Sequence, residues 1–283
     1  MRLRVVKASR PKTPQNARRL TLSRSNDTIS FVIERLAQGF LDLLFPPNCV
    51  ICHNYIPRQP TVPIKSLIKA PSQIICQKCI ELIQYNRPPF CLKCSRFMQK
   101  PLIHPLCHLC RRFKPHFDFA WGSLLFNDPL RELIHQFKYS QKTFLKIPFS
   151  SWMISFILAF ELDIKQFDII IPIPLSSARF RERGFNQSEL LARSISNHFD
   201  IPISTDQLKK IRNTSSQSLL KEKERWTNIH GAFTIKNQKI IINKNILLID
   251  DLLTTGATCS EAALILKMAG AKRVGVLTLA IAP

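Results

Sequence analysis

The chain has 283 residues, about twice the usual length of a single domain, so it can form one large domain or two smaller ones. It carries 41 Lys and Arg against 19 Asp and Glu, for a net charge of +22, while 45% of its residues are hydrophobic and 21% are charged. This composition excludes a disordered polycation, and a total of seven Gly excludes a collagen-like or Gly-rich chain.

The positive charge is concentrated in the first 116 residues. Residues 1–39 hold nine Lys or Arg and two acidic residues, residues 40–116 hold eleven and two, and residues 117–283 hold 21 and 15. A field of this sign raises the local concentration of polyanions such as nucleic acid or anionic lipid. Many proteins use basic charge for solubility alone, so charge by itself leaves nucleic-acid binding open.

The first 26 residues contain eight Lys or Arg and no acidic residue. Such a composition cannot form a core, which predicts a flexible basic arm over residues 1–28, with an organellar transit peptide as the alternative. A secretory signal is not expected because the apolar region of such a signal is missing. From Ile29 to Phe45, apolar residues recur at helical spacing before two Pro residues, which predicts an amphipathic helix.

Eight of the nine cysteines form four CxxC pairs. Two thiolates separated by two residues can reach one tetrahedral metal ion, and two such pairs complete a four-cysteine zinc site. Four pairs therefore predict two zinc sites, although sequence alone leaves an interleaved pairing open. Pairing neighbours in sequence gives one site of Cys49, Cys52, Cys76 and Cys79, and a second site of Cys91, Cys94, Cys107 and Cys110. With four protein ligands each, both zinc ions are expected to be structural.

Disulfide bonds are the alternative interpretation of these cysteines. Because the chain shows no secretory signal, reduced thiols on zinc are favoured, and a cytoplasmic location is expected. His53, His104 and His108 lie near the pairs and could replace a thiolate, but the cysteines suffice. The longest apolar stretch, residues 147–162, is interrupted by Pro, Ser and Glu, so no membrane span is expected.

Two segments in the middle of the chain carry cations that could meet a ligand. A helical pattern ends at Lys138 and Tyr139, which could reach a ligand or merely cap a surface. An apolar strand pattern over residues 168–174 then enters a loop that carries Arg179, Arg181 and Arg183. Guanidinium groups bind phosphate oxygens in a fork geometry, so this loop predicts a pyrophosphate partner, with a solvated basic loop as the alternative.

The most specific stretch of the chain is Ile246–Thr258. There an apolar strand pattern meets two acidic residues, then a Thr-rich loop with one Gly, then a helical pattern. Backbone N–H groups at a helix N-terminus suit a phosphate monoester, and Gly256 lets the backbone approach it closely. Asp250 and Asp251 would repel that phosphate if they faced it, so we expect them to face neutral hydroxyls or a metal-bound group. A sugar phosphate meets both demands.

This stretch resembles the loop that binds phosphoribosyl pyrophosphate (PRPP) in type I phosphoribosyltransferases. The resemblance implies that Asp250 and Asp251 bind the ribose hydroxyls. It also implies that the 5′-phosphate is held by Thr254, Thr255, Gly256, Ala257 and Thr258. In that family Mg²⁺ bridges the diphosphate, and a nucleophile attacks ribose C1 with loss of pyrophosphate. The further PRPP-binding residues expected here are Lys138, Arg179 and Arg183.

The order of motifs along the chain resembles the ComF family of competence-associated proteins, in which a zinc-ribbon segment precedes a phosphoribosyltransferase-like domain. The motifs are the four cysteine pairs, KY at 138–139, PIPL at 172–175, RGFNQ at 183–187 and DDLLTTGAT at 250–258. Together they cover residues 40–280 and leave only the basic arm outside the resemblance.

The expected fold class is α/β, with an N-terminal zinc-ribbon-like segment followed by a doubly wound parallel sheet. The expected divisions are a basic arm (1–28), a helix with the zinc-binding domain (29–116) and a phosphoribosyltransferase-like domain (117–283). The expected strands lie near residues 168–173, 246–249 and 274–279. Ligands of such sheets bind at the carboxyl ends of the strands, so the loops after Pro174 and Asp251 are expected to form one site.

Two functions are compatible with this resemblance. The first is a protein that binds PRPP or a related nucleotide and handles single-stranded DNA during DNA uptake in natural transformation, with uptake-machinery proteins as further partners. The second is an active phosphoribosyltransferase of nucleotide metabolism or salvage. The resemblance implies the first, and the basic charge agrees with it. A transferase fold does not by itself establish turnover. Aromatic residues offer either stacking faces for DNA or core packing: Tyr55, Tyr85, Phe90, Phe97 and Phe113.

Overall fold

A computed structural model describes residues 46–57, 74–99, 104–213 and 222–283. The predicted basic arm and the amphipathic helix before Pro46 lie outside the described residues. From residue 47 onward, the described residues belong to one compact unit. Within these ranges, no helix combines the length and the hydropathy that a membrane crossing requires.

The described residues contain six strands and eight α-helices. The strands are β1 (Phe119–Leu125), β2 (Ile169–Pro172), β3 (Leu208–Lys210), β4 (Phe233–Ile235), β5 (Asn245–Leu253) and β6 (Arg273–Ile281). The helices are α1 (Gln77–Glu81), α2 (His108–Phe113), α3 (Asp128–Tyr139), α4 (Lys146–Ala159), α5 (Ser177–Arg183), α6 (Gln187–Phe199), α7 (Glu222–Ile229) and α8 (Ala257–Met268).

Four strands form a parallel sheet in the order β1-β6-β5-β2, and β3 pairs with β4 in a separate antiparallel ribbon. Helices cover both faces of the sheet, as parallel sheets require. On one face, α4 and α6 pack together and against the strands, and on the other α8 packs against β5 and β6. The expected α/β class with a parallel sheet is confirmed.

The strand β5 is longer than the sequence pattern predicted, and this difference positions the acidic residues. Its neighbour β2 ends at Pro172, paired with Ile249, whereas β6 stays paired with β5 as far as Leu253. Asp250 and Asp251 are therefore held in extended backbone by β6 on one side. On the other side, the edge of β5 beyond Ile249 is left open by the departure of β2.

One edge of the sheet, strand β1, is covered by the cysteine-containing segment. Backbone N–H groups along β1 find acceptors in that segment, which satisfies donors that an open edge would expose. The bonds run from Ala120 N to Lys93 O (2.8 Å), from Gly122 N to Ser95 Oγ (2.8 Å) and from Leu125 N to Gln84 O (2.9 Å). The cysteine segment is therefore joined to the sheet along this edge by hydrogen bonds.

Candidate functional site

The loops that follow β2 and β5 line one cleft of about 530 Å³ at the carboxyl end of the sheet. Among its lining residues are Lys138, Arg179, Arg183, Asp250, Asp251, Thr254 and Thr258. The other predicted ligand residues, Thr255, Gly256 and Ala257, are buried in the turn that leads into α8. Tertiary folding thus brings the arginines after β2 beside the acidic residues of β5.

Asp250 and Asp251, called here the acid pair, lie buried at the base of the cleft. The Oδ1 atom of Asp250 accepts a hydrogen bond from Ser188 Oγ at 2.9 Å, and the carboxylate of Asp251 forms an ion pair with the ammonium of Lys138. Burial, reinforced by the charge of Asp251, raises the pKa of Asp250 to about 7. Burial also opposes the charge of Asp251, but Lys138 outweighs it and lowers the pKa of that carboxyl.

Positive charge dominates the walls of the cleft. The cationic side chains that line it within the described residues are Arg131, Lys138, Arg179, Arg183, Lys210 and Arg225. Burial, and then the nearby guanidinium of Arg179, lower the pKa of Lys210 to about 8. Because the acid pair balances only part of this charge, the cleft favours a ligand with several negative charges.

The arginines after β2 lie on a helix, not on the loop that the sequence suggested. In α5, Arg179 and Arg183 are four residues apart and share one face, which turns toward the cleft, whereas Arg181 is exposed and lies outside the cleft lining. The helix ends at Arg183 because Gly184 adopts φ +78°, a left-handed conformation that favours glycine.

Two polar side chains of the RGFNQ motif are buried beside the cleft with an atom left unpaired. Arg183 and Gln187 are each 4% exposed. Arg183 donates to Tyr139 Oη at 3.2 Å, but its Nε and the Oε1 atom of Gln187 have no hydrogen-bond partner within the described residues. Buried polar atoms are almost always satisfied, so a polar ligand of the cleft would find a donor in Arg183 and an acceptor in Gln187.

The Thr-rich loop, residues 254–258, leads from β5 into α8 and includes the first two residues of that helix. Gly256 adopts φ +82° and is the N-cap of α8, a conformation that would strain any other residue. Thr255 Oγ1 accepts a hydrogen bond from the N–H of Ala257 at 3.4 Å. The open N-terminus of this 12-residue helix supplies the backbone donors that suit an anion.

Sequence reasoning did not single out Ser188 or Lys210 as parts of this site. Ser188 follows the RGFNQ motif directly, and Asn186 caps α6 by accepting from its N–H at 3.1 Å, so the helix-start signal was present. Lys210 lies at the end of β3, a three-residue strand with no distinctive pattern. Only its tertiary position reveals that it reaches the cleft.

The eight cysteines of the CxxC pairs form two groups, each of neighbours in sequence. The first cysteine cluster is Cys49, Cys52, Cys76 and Cys79, and the second cysteine cluster is Cys91, Cys94, Cys107 and Cys110. In each cluster the four sulfur atoms lie within 4.8 Å of one another.

The sulfur spacing fits tetrahedral zinc. Zinc–sulfur bonds of about 2.3 Å require sulfur atoms about 3.8 Å apart. The Cys52 and Cys76 sulfurs are 3.6 Å apart, and those of Cys94 and Cys107 are 3.7 Å apart. The donor set therefore fits zinc at both clusters without a histidine ligand.

Backbone donors support the thiolate form that zinc binds. Cys49 Sγ accepts from the N–H of Cys76 at 3.4 Å, and Cys91 Sγ accepts from the N–H of Cys107 at 3.2 Å. Although burial opposes ionisation of Cys49, the backbone N–H groups around its sulfur lower its pKa to about 6. All four cysteines of the second cluster are buried, whereas Cys52 of the first is exposed.

A parallel sheet with an acid pair at the end of a central strand and a Thr-rich loop before a helix is the arrangement of a phosphoribosyltransferase-like fold. The family model described as "Phosphoribosyl transferase domain" matches residues 186–283, from the start of α6 through β6. Among solved structures, the purine phosphoribosyltransferase from Pyrococcus horikoshii has 20% identity and a TM-score of 0.28, covering 46% of this chain and 73% of that chain.

The chain is 31% identical over 225 residues to "Competence protein ComFC" of Bacillus subtilis, covering 76% of this chain and 86% of that protein. It therefore belongs to the ComF family. It is 29% identical over 208 residues to "Competence protein F" of Haemophilus influenzae, covering 72% of this chain and 88% of that protein. It is 27% identical over 204 residues to "DNA utilization protein YhgH" of Escherichia coli, covering 71% and 88%.

Proposed function

We propose that the cleft binds PRPP or a related nucleotide together with Mg²⁺, and that the protein handles single-stranded DNA during DNA uptake. One observation carries the ligand assignment. The acid pair, which suits sugar hydroxyls, lies in one cleft with a helix N-terminus that suits a phosphate and with an excess of cationic side chains. A pentose carrying a phosphate and a diphosphate presents this combination of groups.

Each part of such a ligand has matching residues. Asp250 and Asp251 would accept hydrogen bonds from the ribose hydroxyls, and the Thr-rich loop would surround the 5′-phosphate. Arg179 and Arg183 would bind the diphosphate in fork geometry. Mg²⁺ prefers oxygen ligands and retains water, so the diphosphate and the acid pair form a donor set that fits it, and its charge would offset that of the diphosphate.

Two observations support contact with single-stranded DNA. Relatives at 26–31% identity are named as competence or DNA utilization proteins, and residues 40–116 carry nine more basic than acidic residues. Of the aromatic residues in that segment, Tyr55 and Phe97 are 57% and 46% exposed and could stack with bases. Phe113 is instead stacked on Trp226, with ring centroids 4.9 Å apart.

Titration of the zinc-loaded protein tests both halves of the proposal. We expect Mg²⁺-PRPP to bind, and a single-stranded oligonucleotide to bind with an affinity that falls between two salt concentrations. The double variant Tyr55→Ala/Phe97→Ala should weaken oligonucleotide binding about tenfold or more and leave PRPP binding unchanged. The matched control is Leu92→Ala, which removes another exposed apolar side chain of the same segment.

The outcomes separate the candidate functions. Oligonucleotide binding without PRPP binding would reject the ligand assignment, and equal affinity of the aromatic variant would remove Tyr55 and Phe97 from the DNA interface. Release of pyrophosphate when nucleobases are added to the PRPP complex would assign the alternative function, an active phosphoribosyltransferase.

The affinity for PRPP is expected to peak between about pH 7 and about pH 8. As the pH falls through about 7, Asp250 takes up a proton and loses the charge that binds hydroxyls, so affinity declines. As the pH rises through about 8, Lys210 loses its positive charge and affinity declines again. Calorimetry above about pH 6.5, where a phosphate monoester is mostly dianionic, measures the profile. Lys210→Met should remove only the alkaline decline, and a flat wild-type profile would contradict both assignments.

A further inference from the structure

Arg96 connects the second cysteine cluster to the Thr-rich loop. It lies two residues after Cys94, and it is only 8% exposed. One terminal nitrogen of its guanidinium donates to the backbone oxygen of Thr254, the first residue of the loop. The other donates to the backbone oxygens of Ala282 and Pro283, the latter at 2.6 Å. A buried guanidinium is costly to leave unpaired, so these bonds hold the segments in one arrangement.

The turn between Cys91 and Arg96 determines where the Arg96 side chain starts. The N–H of Cys91 donates to the carbonyl of Arg96 at 2.8 Å, and the N–H of Ser95 donates to the carbonyl of Cys91 at 2.9 Å. Ser95 has φ +54° and is joined to β1 by the N–H of Gly122. Zinc bound by Cys91 and Cys94 would close the same turn. Zinc binding and the position of Arg96 therefore depend on the conformation of the same backbone turn.

A second contact joins the same cluster to the cleft. Helix α2 begins directly after Cys107 and includes Cys110, and its last residue, Phe113, stacks on Trp226 of α7 with an interplanar angle of 9°. The neighbour of Trp226 in sequence, Arg225, lines the cleft. The second cysteine cluster therefore supports the cleft at two separate places.

We infer that Arg96 is a positioning residue that couples zinc in the second cysteine cluster to phosphate binding by the Thr-rich loop. The inference rests on the proposed function, because it takes the loop as the site of the 5′-phosphate. By bonding to the carbonyl of Thr254, Arg96 fixes the peptide from which the loop starts. The N–H groups that follow then keep one orientation, and a preoriented site binds more tightly than one that must be ordered by its ligand.

Calorimetric titration of three variants with two partial ligands tests this role. Arg96→Met should weaken binding of ribose 5-phosphate about tenfold or more, because a charge-assisted hydrogen bond that orders the loop is lost. Binding of Mg²⁺-pyrophosphate should be unchanged, because Arg179 and Arg183 lie on a different element. Arg96→Lys should retain part of the affinity, since an ammonium replaces the charge but not the fork. The matched control is Arg87→Met, at an exposed arginine of the same segment, and it should bind both ligands normally.

The affinity for zinc provides a second readout, taken at the cysteine cluster and not at the cleft. Coupling between the binding free energies of two sites is reciprocal, so ribose 5-phosphate should protect zinc in the wild-type protein, measured as a higher zinc affinity in equilibrium competition with a chelator. In Arg96→Met this protection should disappear, although the variant should still be purified with two zinc ions per chain.

The possible results are distinct. If the wild-type protein binds neither the partial ligands nor PRPP, the proposed function is rejected, and the role of Arg96 in phosphate binding is rejected as well. If the wild type binds and zinc-loaded Arg96→Met has the same affinity for ribose 5-phosphate, the proposed function stands and the role of Arg96 is rejected. If Arg96→Met weakens the binding of both partial ligands equally, the variant disrupts the cleft as a whole, and the role of Arg96 is also rejected. Arg96→Lys allows the same comparison if Arg96→Met does not fold.

Discussion

The double variant Asp250→Asn/Asp251→Asn is expected to bind PRPP at least about 100-fold more weakly than the wild type. Hydrogen bonds to charged groups contribute about 1.5–3 kcal/mol each, and this variant replaces both carboxylates that would accept the ribose hydroxyls. Titration with Mg²⁺-PRPP measures the loss. The control Asp163→Asn/Asp200→Asn makes the same chemical change at two exposed residues outside the cleft and should bind normally. Unchanged affinity of the acid-pair variant would reject the assignment of the cleft.

The single variants of the acid pair should differ in stability, because the two carboxyls have opposite environments. The pKa of Asp250 is raised from 3.8 to about 7 in the folded protein, so its contribution to stability is full below about pH 4 and is lost as the pH rises through about 7. A pKa shift of this size corresponds to a change of at most about 4 kcal/mol in the free energy of unfolding. At pH 8, Asp250→Asn should therefore unfold at higher denaturant concentration than the wild type.

Asp251→Asn should instead be less stable, because it leaves the largely buried ammonium of Lys138 without its carboxylate partner. Denaturant unfolding of both single variants at about pH 5 and about pH 8 provides the test. The gain in stability from Asp250→Asn should be smaller at about pH 5 than at about pH 8. A loss of stability for Asp250→Asn at both pH values would show that its carboxylate is not the destabilising group described here.

Loss of the second cysteine cluster should have the largest effect on folding. Its four cysteines are buried and pack into the hydrophobic core that also contains α8, and its segment covers the edge of β1. Structural zinc contributes about 10–16 kcal/mol in small zinc-dependent peptides, which matches or exceeds the whole stability of a typical domain. The variant Cys94→Ser/Cys107→Ser should therefore lose its cooperative thermal transition and become sensitive to protease.

The first cysteine cluster offers the comparison for this experiment. Cys52 is exposed, so Cys52→Ser changes a ligand that the core does not enclose. We expect it to lower the melting temperature while the protein keeps a cooperative transition and the zinc of the second cluster. Elemental analysis gives the zinc content and circular dichroism gives the transition. A wild-type melting curve for Cys94→Ser/Cys107→Ser would contradict a structural role for the second cluster.

The sequence predicted the local elements of the site well because each of them is encoded by a short pattern. The apolar run into Asp250 predicted a buried strand, and the Thr-rich loop before a helical pattern predicted the turn into α8. The pattern ended β5 at Ile249, however, because acidic residues are unusual inside a buried strand. Pairing with β6 extends β5 to Leu253, and this long-range contact has no local signature.

The spacing of the cysteines and the order of the motifs determined, from sequence alone, the α/β class and the family of this protein. Only the tertiary structure decided how the cysteines group. It also decided that Arg181 lies outside the cleft and that Lys210 lines it. The hydrogen bond from Arg96 to Thr254, which joins residues 158 positions apart, was likewise decided by the tertiary structure. Periodicity and spacing report which elements form, whereas the contacts between distant elements depend on how their surfaces pack, and that information is distributed over the whole chain.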